Sequence, residues 1–125
     1  MILGIGTDLA PHSRIERLLA RHGERALARL FTEAEREYCL ALARPVPSLA
    51  ARFAAKEAFF KALGTGYGRG GRWTDVEIVR TPLGAPRVRL HGRAARLARR
   101  RRIRRIHLTL SHTDDLAIAH VVLER

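Results

Sequence analysis

The stretch FAAKEAFFKALGTG, from Phe53 to Gly66, places Lys56, Glu57 and Lys61 in a segment that otherwise consists mainly of alanine, phenylalanine and leucine. On a helical wheel at about 100° per residue, Glu57 and Lys61 lie on the same broad side as several phenylalanine and alanine side chains, and Lys56 lies near its edge. The stretch therefore predicts an apolar helix that ends at Leu63 and carries a carboxylate among residues typical of a core.

Two interpretations of Glu57 follow from this position. Glu57 and Lys61 have the i, i+4 spacing of an exposed ion pair, which stabilises a helix by a few tenths of a kcal/mol. Alternatively, a half-buried carboxylate needs a compensating cation or metal ion. Asp8, at the carboxyl end of the strand predicted for MILGIGTDL, is the obvious second carboxylate. Carboxylates, phosphate oxygens and water are the ligands that Mg²⁺ prefers, and Lys61 would then face the same phosphates.

Capping signals predict two helices before this one and a start for the helix itself. Ser13 and Thr32 are each followed three residues later by glutamate, the spacing of a capping box. The first of these helices should span roughly residues 13–22. Pro45 should stop the second, and Ser48 should cap the apolar helix.

The second half of the chain changes to strand patterns. TDVEIVRT and PRVRLH flank a proline- and glycine-containing turn and predict a hairpin. GRAARLARRRR predicts another helix, and IHLTLSH and LAIAHVVLE predict a closing antiparallel pair of strands. A strand, several helices and then further strands indicate an α+β fold. Since 125 residues suffice for one core, a single domain over residues 1–125 is expected.

The charge predicts an acidic partner. The net charge is +12, and the 24 basic residues comprise two lysines and 22 arginines. Nucleic acid, a polyphosphate ligand or an acidic protein would each satisfy this surplus. The run Arg99–Arg105 is either a solvated helix end or a polyanion-binding patch, so a small basic nucleic-acid-binding module is an alternative function. Aromatic residues make up only 6% of the chain, which disfavours binding of nucleic acid by stacking.

Other features exclude several protein classes. No apolar run approaches the roughly 20 residues of a membrane-spanning helix, and the amino terminus does not resemble a signal peptide, so a cytoplasmic location is the expectation. Cys39 is the only cysteine, which excludes an internal disulfide and a cysteine-rich zinc site.

Three blocks, GIGTDL, RFAAKEAFFKALGTG and LSHT, resemble the holo-acyl-carrier-protein synthases, which are small phosphopantetheinyl transferases. The resemblance implies a 4′-phosphopantetheinyl transferase-like fold, with helices packed on an antiparallel sheet. It implies transfer of 4′-phosphopantetheine from coenzyme A to a serine of an apo-acyl carrier protein, which releases adenosine 3′,5′-bisphosphate. It also implies dependence on Mg²⁺ and a role in fatty acid biosynthesis.

The same resemblance implies roles for individual residues. Asp8 and Glu57 match the metal-binding carboxylates, and together with Lys61 they form the expected catalytic set. The expected coenzyme A contacts are Lys61, Gly64, His112 and Thr113. The proton acceptor is left open between His112, Glu57 and water, and without the resemblance His112 is a structural residue at a strand end.

The first predicted helix presents Arg14, Leu18 and Arg21 at i, i+4 and i+7, a basic face with an apolar centre. This face is either solvated or a docking site, and the resemblance implies that the acidic carrier protein docks there. It further implies a homotrimer with active sites between subunits, in which the strand LAIAHVVL packs against a neighbour.

Overall fold

The computed structural model describes residues 1–125 and has two sheets and five α-helices. The strands are β1 (Ile2–Pro11), β2 (Val76–Arg80), β3 (Pro86–Leu90), β4 (Arg105–His112) and β5 (Leu116–Glu124). The α-helices are α1 (His12–His22), α2 (Glu24–Leu30), α3 (Glu33–Leu40), α4 (Pro45–Leu63) and α5 (Gly92–Arg100), and a short 3-10 helix spans Trp73–Asp75. None of the helices combines the length and apolar character that crossing a membrane requires.

The larger sheet is antiparallel, with the strand order β1-β5-β4, and α4 packs across its inner face. The smaller sheet is the predicted hairpin of β2 and β3. The predicted closing pair is also present as β4 and β5. The α+β architecture with helices on an antiparallel sheet is therefore confirmed.

Two glycines allow α4 to lie directly on β1. A Cβ atom at Gly4 would collide with the carbonyl oxygen of Ala62, and one at Gly6 would collide with that of Ala58. These neighbours are helix backbone and cannot move aside as a flexible side chain would. The GIG motif thus sets the distance between the helix and the strand that carries Asp8.

Helix α4 is buried on nearly all sides, which the helical wheel did not predict. Lys56 is 0% exposed, and Arg52 and Ala55 are also buried. A helical wheel distinguishes a buried side from an exposed side only when one side of the helix faces solvent. Helix α4 instead contacts the large sheet, α1, α3 and the hairpin. Within the stretch Phe53–Leu63, only Glu57 and Lys61 are not buried.

Several predicted helix starts were wrong, although the capping box at Thr32 and Glu35 is present. Strand β1 continues to Pro11, so Asp8 lies inside the strand and not at its end, and α1 begins at once without a side-chain cap. Ser13 is therefore inside α1. Similarly, Pro45 begins α4 where a missing N–H is harmless, and Ser48 lies within that helix. Helix α2 was not predicted.

Candidate active site

The ammonium group of Lys61 joins α4 to β1. Its Nζ donates hydrogen bonds to Asp8 Oδ1 at 2.8 Å and to the Thr7 carbonyl oxygen at 3.1 Å. Asp8 is buried, and its Oδ2 has no hydrogen-bond partner. A buried carboxylate oxygen without a donor is costly, so this atom is available to a further cation or donor.

Glu57 lies beside this pair but has a different partner. Its Oε1 is 3.6 Å from Nη2 of Arg14, whose guanidinium also sits over the Phe53 ring at 5.1 Å from the centroid. The i, i+4 ion pair between Glu57 and Lys61 is not formed, because Lys61 pairs with Asp8. Each of the two carboxylates thus has one cation from another element.

The two carboxylates are close enough to affect each other. The pKa of Glu57 is raised to about 7, chiefly by burial and then by the neighbouring Asp8 carboxylate, against the opposing charges of Arg14 and Lys61. The Glu57 side chain is 19% exposed, so it can reach a ligand from solvent. Two adjacent carboxylates, one with a free buried oxygen, fit a hard divalent cation.

The site offers two protein carboxylates and no third. No group of three or more His, Cys, Asp or Glu side chains is arranged to hold a metal ion. Mg²⁺ is commonly bound by one or two carboxylates, with phosphate oxygens and water completing its octahedron. The donor set of Asp8 and Glu57 therefore suits Mg²⁺ bound together with a phosphate ligand.

The raised pKa of Glu57 predicts a pH effect on stability in metal-free protein. Between its ordinary value of 4.5 and about 7, the folded chain holds a proton on Glu57 that the unfolded chain has released. This contribution to the free energy of unfolding therefore decreases as the pH rises through that window and is recovered on acidification. Urea denaturation in EDTA should detect it as a difference between wild type and Glu57→Gln. Parallel pH profiles for the two proteins would contradict it.

His112 and Thr113 lie away from these residues within one chain. Asp8 and Leu110 both pair with Ala119, so Asp8 and His112 are on the opposite edge strands of the large sheet. Two ladder spacings separate those strands by about 10 Å. The Thr113 hydroxyl accepts hydrogen bonds from the N–H groups of Asp115 and Leu116, which holds the turn between β4 and β5.

His112 instead lines a basic cavity of about 590 Å³ between β4, α4 and the hairpin. Three arginines that sequence reasoning missed share its wall: Arg44, Arg52 and Arg80. Arg52 is buried, donates to the Ser48 hydroxyl at 2.6 Å and leaves its Nε without a partner. With 22 arginines in the chain, no local signal distinguishes these three.

Gly64 lies about two helical turns beyond Glu57, whereas the α1 face lies beside Glu57 through Arg14. Gly64 ends α4 in the left-handed region at φ 78°, and its N–H already donates to the carbonyl groups of Phe60 and Lys61. Arg14 and Leu18 line a cavity of about 530 Å³ with an aromatic floor that includes Phe53. Arg14, Leu18 and Arg21 also line the adjoining groove, so the three predicted docking residues share one side of α1.

A buried ion pair behind the site was also missed. Lys56 Nζ donates to Glu35 Oε1 at 2.7 Å and to the carbonyl oxygens of Trp73 and Val76 at 3.0 and 2.6 Å. Glu35 Oε2 accepts from the Ile78 N–H at 2.9 Å. Burial lowers the pKa of Lys56, while the Glu35 charge opposes that shift. Two sequence signals could have indicated this pair: Lys56 lies in an apolar helix, and Glu35 belongs to a predicted capping box.

Comparison with known proteins places these features in a family. A family model described as the 4′-phosphopantetheinyl transferase superfamily matches residues 4–120. The chain is 48% identical to the holo-acyl-carrier-protein synthase of Koribacter versatilis, over 99% of each protein. It is 53% identical to that of Desulforudis audaxviator, over 98% of this chain and 92% of the relative.

Solved structures agree with these relatives. The holo-acyl-carrier-protein synthase of Neisseria meningitidis superposes with a TM-score of 0.94 at 36% identity and 100% coverage of both chains. The Helicobacter pylori enzyme, solved in complex with coenzyme A, superposes with a TM-score of 0.85 at 31% identity, over 96% of this chain and 99% of that one. The chain therefore belongs to the 4′-phosphopantetheinyl transferase superfamily and, within it, to the holo-acyl-carrier-protein synthases.

Proposed function

We propose that this chain, acting as one domain, transfers 4′-phosphopantetheine from coenzyme A to a serine of an apo-acyl carrier protein. The products are the holo-carrier protein and adenosine 3′,5′-bisphosphate, and the reaction supports fatty acid biosynthesis. The observation that carries the proposal is the convergence of Asp8, Glu57 and Lys61 from β1 and α4. The names of the relatives and the coenzyme A complex of the H. pylori enzyme support the substrates.

In this proposal Asp8 and Glu57 hold Mg²⁺. When bound, Mg²⁺ neutralises charge that develops on the diphosphate oxygens during transfer. Asp8 Oδ2 has no hydrogen-bond partner, and the pKa of Glu57 is raised. A cation bound between the two carboxylates would stabilise the charged form of both. Metal dependence is therefore a property that the chain's own residues support.

Lys61 is proposed to stabilise the leaving group. Its ammonium is about half exposed while it contacts Asp8, so it can turn toward a phosphate in the site without a change in the backbone. An ammonium placed where negative charge develops stabilises the transition state more than the ground state. Lys61 follows Glu57 by four residues on α4, so it lies about one helical turn from the second carboxylate.

The basic cavity is proposed to take coenzyme A phosphates. Arg44, Arg52, Arg80 and His112 surround it, and guanidinium groups bind phosphates in a bidentate manner. This cavity opens at the β4 edge, whereas Asp8 belongs to the β1 edge of the same sheet. We propose that coenzyme A contacts the basic cavity of one chain and Asp8 of another, so that a homotrimer has its active sites between subunits.

The outer face of the large sheet supports subunit contact. Ile5 and Leu9 on β1 are 70% and 55% exposed, and Leu116 on β5 is also exposed. Ile118 and Val122 are only partly buried on the same strand. These apolar residues lie on both sides of the exposed Thr7–His120 pair, and a second and third copy of the chain are the proposed occupants of this face.

A mixing experiment tests whether the sites are shared. Asp8→Asn removes a carboxylate, and Arg44→Glu reverses a charge in the basic cavity, so each variant alone is expected to be inactive. When the two are co-expressed with different tags and purified through both, about one third of the sites in a mixed trimer are intact. Mixed oligomers as inactive as their parents, or a fully active monomer by light scattering, would contradict shared sites.

The exposed face of α1 is proposed to dock the acidic carrier protein. Arg14 and Arg21 flank Leu18, and the adjoining cavity adds His22, Arg25 and Arg29 to an apolar floor. A positive rim steers an acidic partner, and an apolar centre supplies contact area. The proximity of Arg14 to Glu57 brings the docking face next to the proposed reaction site.

The nucleic-acid-binding alternative is not supported by the relatives, which are named as carrier-protein synthases. The run Arg99–Arg105 spans the end of α5, a turn and the first residue of β4, and its arginines are exposed. One of them, Arg101, donates to the Leu63 carbonyl oxygen at the end of α4. These positions favour the interpretation as a solvated helix end.

Incubation with coenzyme A, MgCl₂ and an apo-acyl carrier protein tests the proposed function. Mass spectrometry should detect addition of one phosphopantetheine to the carrier and formation of adenosine 3′,5′-bisphosphate. A carrier whose acceptor serine is replaced by alanine serves as the control and should remain unmodified. No mass increase with a folded carrier would reject the proposal, and tight DNA binding in its place would favour the alternative.

A further inference from the structure

Arg14 occupies a position between two proposed sites. Its guanidinium is 3.6 Å from Glu57, rests over the Phe53 ring and lines the cavity beside the docking face. The Arg14 side chain is 46% exposed, so its guanidinium can reorient while it stays in contact with the ring. The Arg14 guanidinium therefore contacts a proposed metal ligand and is also part of the proposed carrier-binding surface.

The surrounding charges favour the contact with Glu57 when no partner is present. The other charged or titratable residues that line the cavity are His22, Arg25, Arg29 and Tyr67, and none is a carboxylate. Repulsion from these groups directs Arg14 toward Glu57, the only carboxylate with which it forms an ion pair. Acidic groups of a docked protein would have to compete with Glu57 for Arg14.

We propose that Arg14 is an exchange residue, which pairs with Glu57 in the metal-free protein and is released to the acidic carrier when a divalent cation occupies Asp8 and Glu57. The inference rests on the proposed function. A bound cation satisfies the negative charge of Glu57, so the attraction that retains Arg14 is lost. Cation binding and carrier binding then strengthen each other, and by linkage the coupling is reciprocal.

Carrier binding without coenzyme A tests the exchange, because no transfer can occur. Fluorescence anisotropy of a dye-labelled apo-acyl carrier protein would be measured in MgCl₂ and in EDTA. An exposed ion pair of this kind corresponds to a factor of up to about 5, so Mg²⁺ should tighten carrier binding to the wild type by about 3- to 5-fold. In Arg14→Gln, the carrier should bind more weakly and the ratio between the two conditions should approach 1.

Arg21→Gln is the matched control. Arg21 lies on the same docking face but forms no ion pair with a carboxylate. Its replacement should weaken carrier binding by the same factor in MgCl₂ and in EDTA, so the ratio seen in the wild type persists. This control also accounts for any Mg²⁺ that binds to the carrier itself. An equal Mg²⁺ ratio in wild type and Arg14→Gln would overturn the inference.

Glu57→Gln provides a second test that does not remove Arg14. With no carboxylate to retain it, Arg14 should be free in EDTA, and the carrier should bind about 3- to 5-fold more tightly than to the wild type in EDTA. Carrier binding unchanged by Glu57→Gln would also overturn the inference. Calorimetry with MgCl₂, with and without inorganic pyrophosphate, separates the two proposals, and carrier binding is measured under the condition in which Mg²⁺ binds. Absence of Mg²⁺ binding under both conditions rejects the metal assignment, whereas Mg²⁺ binding without the carrier effect rejects only the exchange.

Discussion

Replacing Glu57 by Gln or Asp8 by Asn is expected to lower turnover at saturating Mg²⁺ by at least about 100-fold. Each change removes one of the two carboxylate charges that are proposed to hold the cation against the diphosphate. The amides keep the size of the side chains, so the effect reports charge and not packing. The rate of carrier modification, followed by mass spectrometry at saturating coenzyme A, measures it.

A carboxylate away from the site supplies the control for this prediction. Glu37 is exposed on α3 and forms no ion pair, so Glu37→Gln should keep nearly the full rate. Circular dichroism and light scattering should first establish that all three variants fold and assemble like the wild type. Turnover of Glu57→Gln and Asp8→Asn within a few-fold of the wild type would reject the metal assignment.

Replacing Lys56 by Met is expected to lower the free energy of unfolding by about 3–5 kcal/mol. The change leaves the buried Glu35 charge without its ammonium partner and removes the ammonium donor from the carbonyl groups of Trp73 and Val76, of which the Trp73 carbonyl keeps only the Val76 N–H. Methionine has a similar length, so little of the loss arises from a cavity. Urea denaturation followed by tryptophan fluorescence measures the effect, since Trp73 lies beside the pair.

Two further variants make the stability prediction specific. Arg105→Met breaks a distant, exposed ion pair with Glu124 and should leave the urea midpoint nearly unchanged. Adding Glu35→Gln to Lys56→Met removes the unpaired charge and should recover part of the lost stability. A Lys56→Met midpoint close to that of the wild type would contradict the assigned role of the buried pair.

The buried pair also bears on function through what it supports. Glu35 belongs to the capping box of α3, and Lys56 is the residue before Glu57 on α4. Lys56 donates a hydrogen bond to the Trp73 carbonyl oxygen. The Trp73 ring stacks on the Tyr67 ring, with 4.4 Å between the ring centroids. Both rings line the cavity at the docking face, so loss of this pair would disturb that surface as well.

Patterns within short segments predicted much of the fold. The end of α4 at Leu63, the capping box at Thr32 and the hairpin of β2 and β3 depend on residues a few positions apart. The start of α1 was mispredicted because β1 runs directly into it, and the backbone N–H of His12 donates to the Asp115 carbonyl oxygen at 2.8 Å. That partner is more than 100 positions distant, so no local cap was needed.

The sequence by itself determined the apolar helix, the class of the fold and the family, because local periodicity and three spaced motifs are sufficient for these. Only the tertiary structure decided which charges pair. Lys61 contacts Asp8, 53 positions away, and not Glu57, one helical turn away. The reason is physical, because α4 lies close to the glycines of β1 and so brings the buried Asp8 carboxylate within reach of the Lys61 ammonium. Electrostatic attraction depends on the distance between two charges in space and on their burial, and not on their separation along the chain.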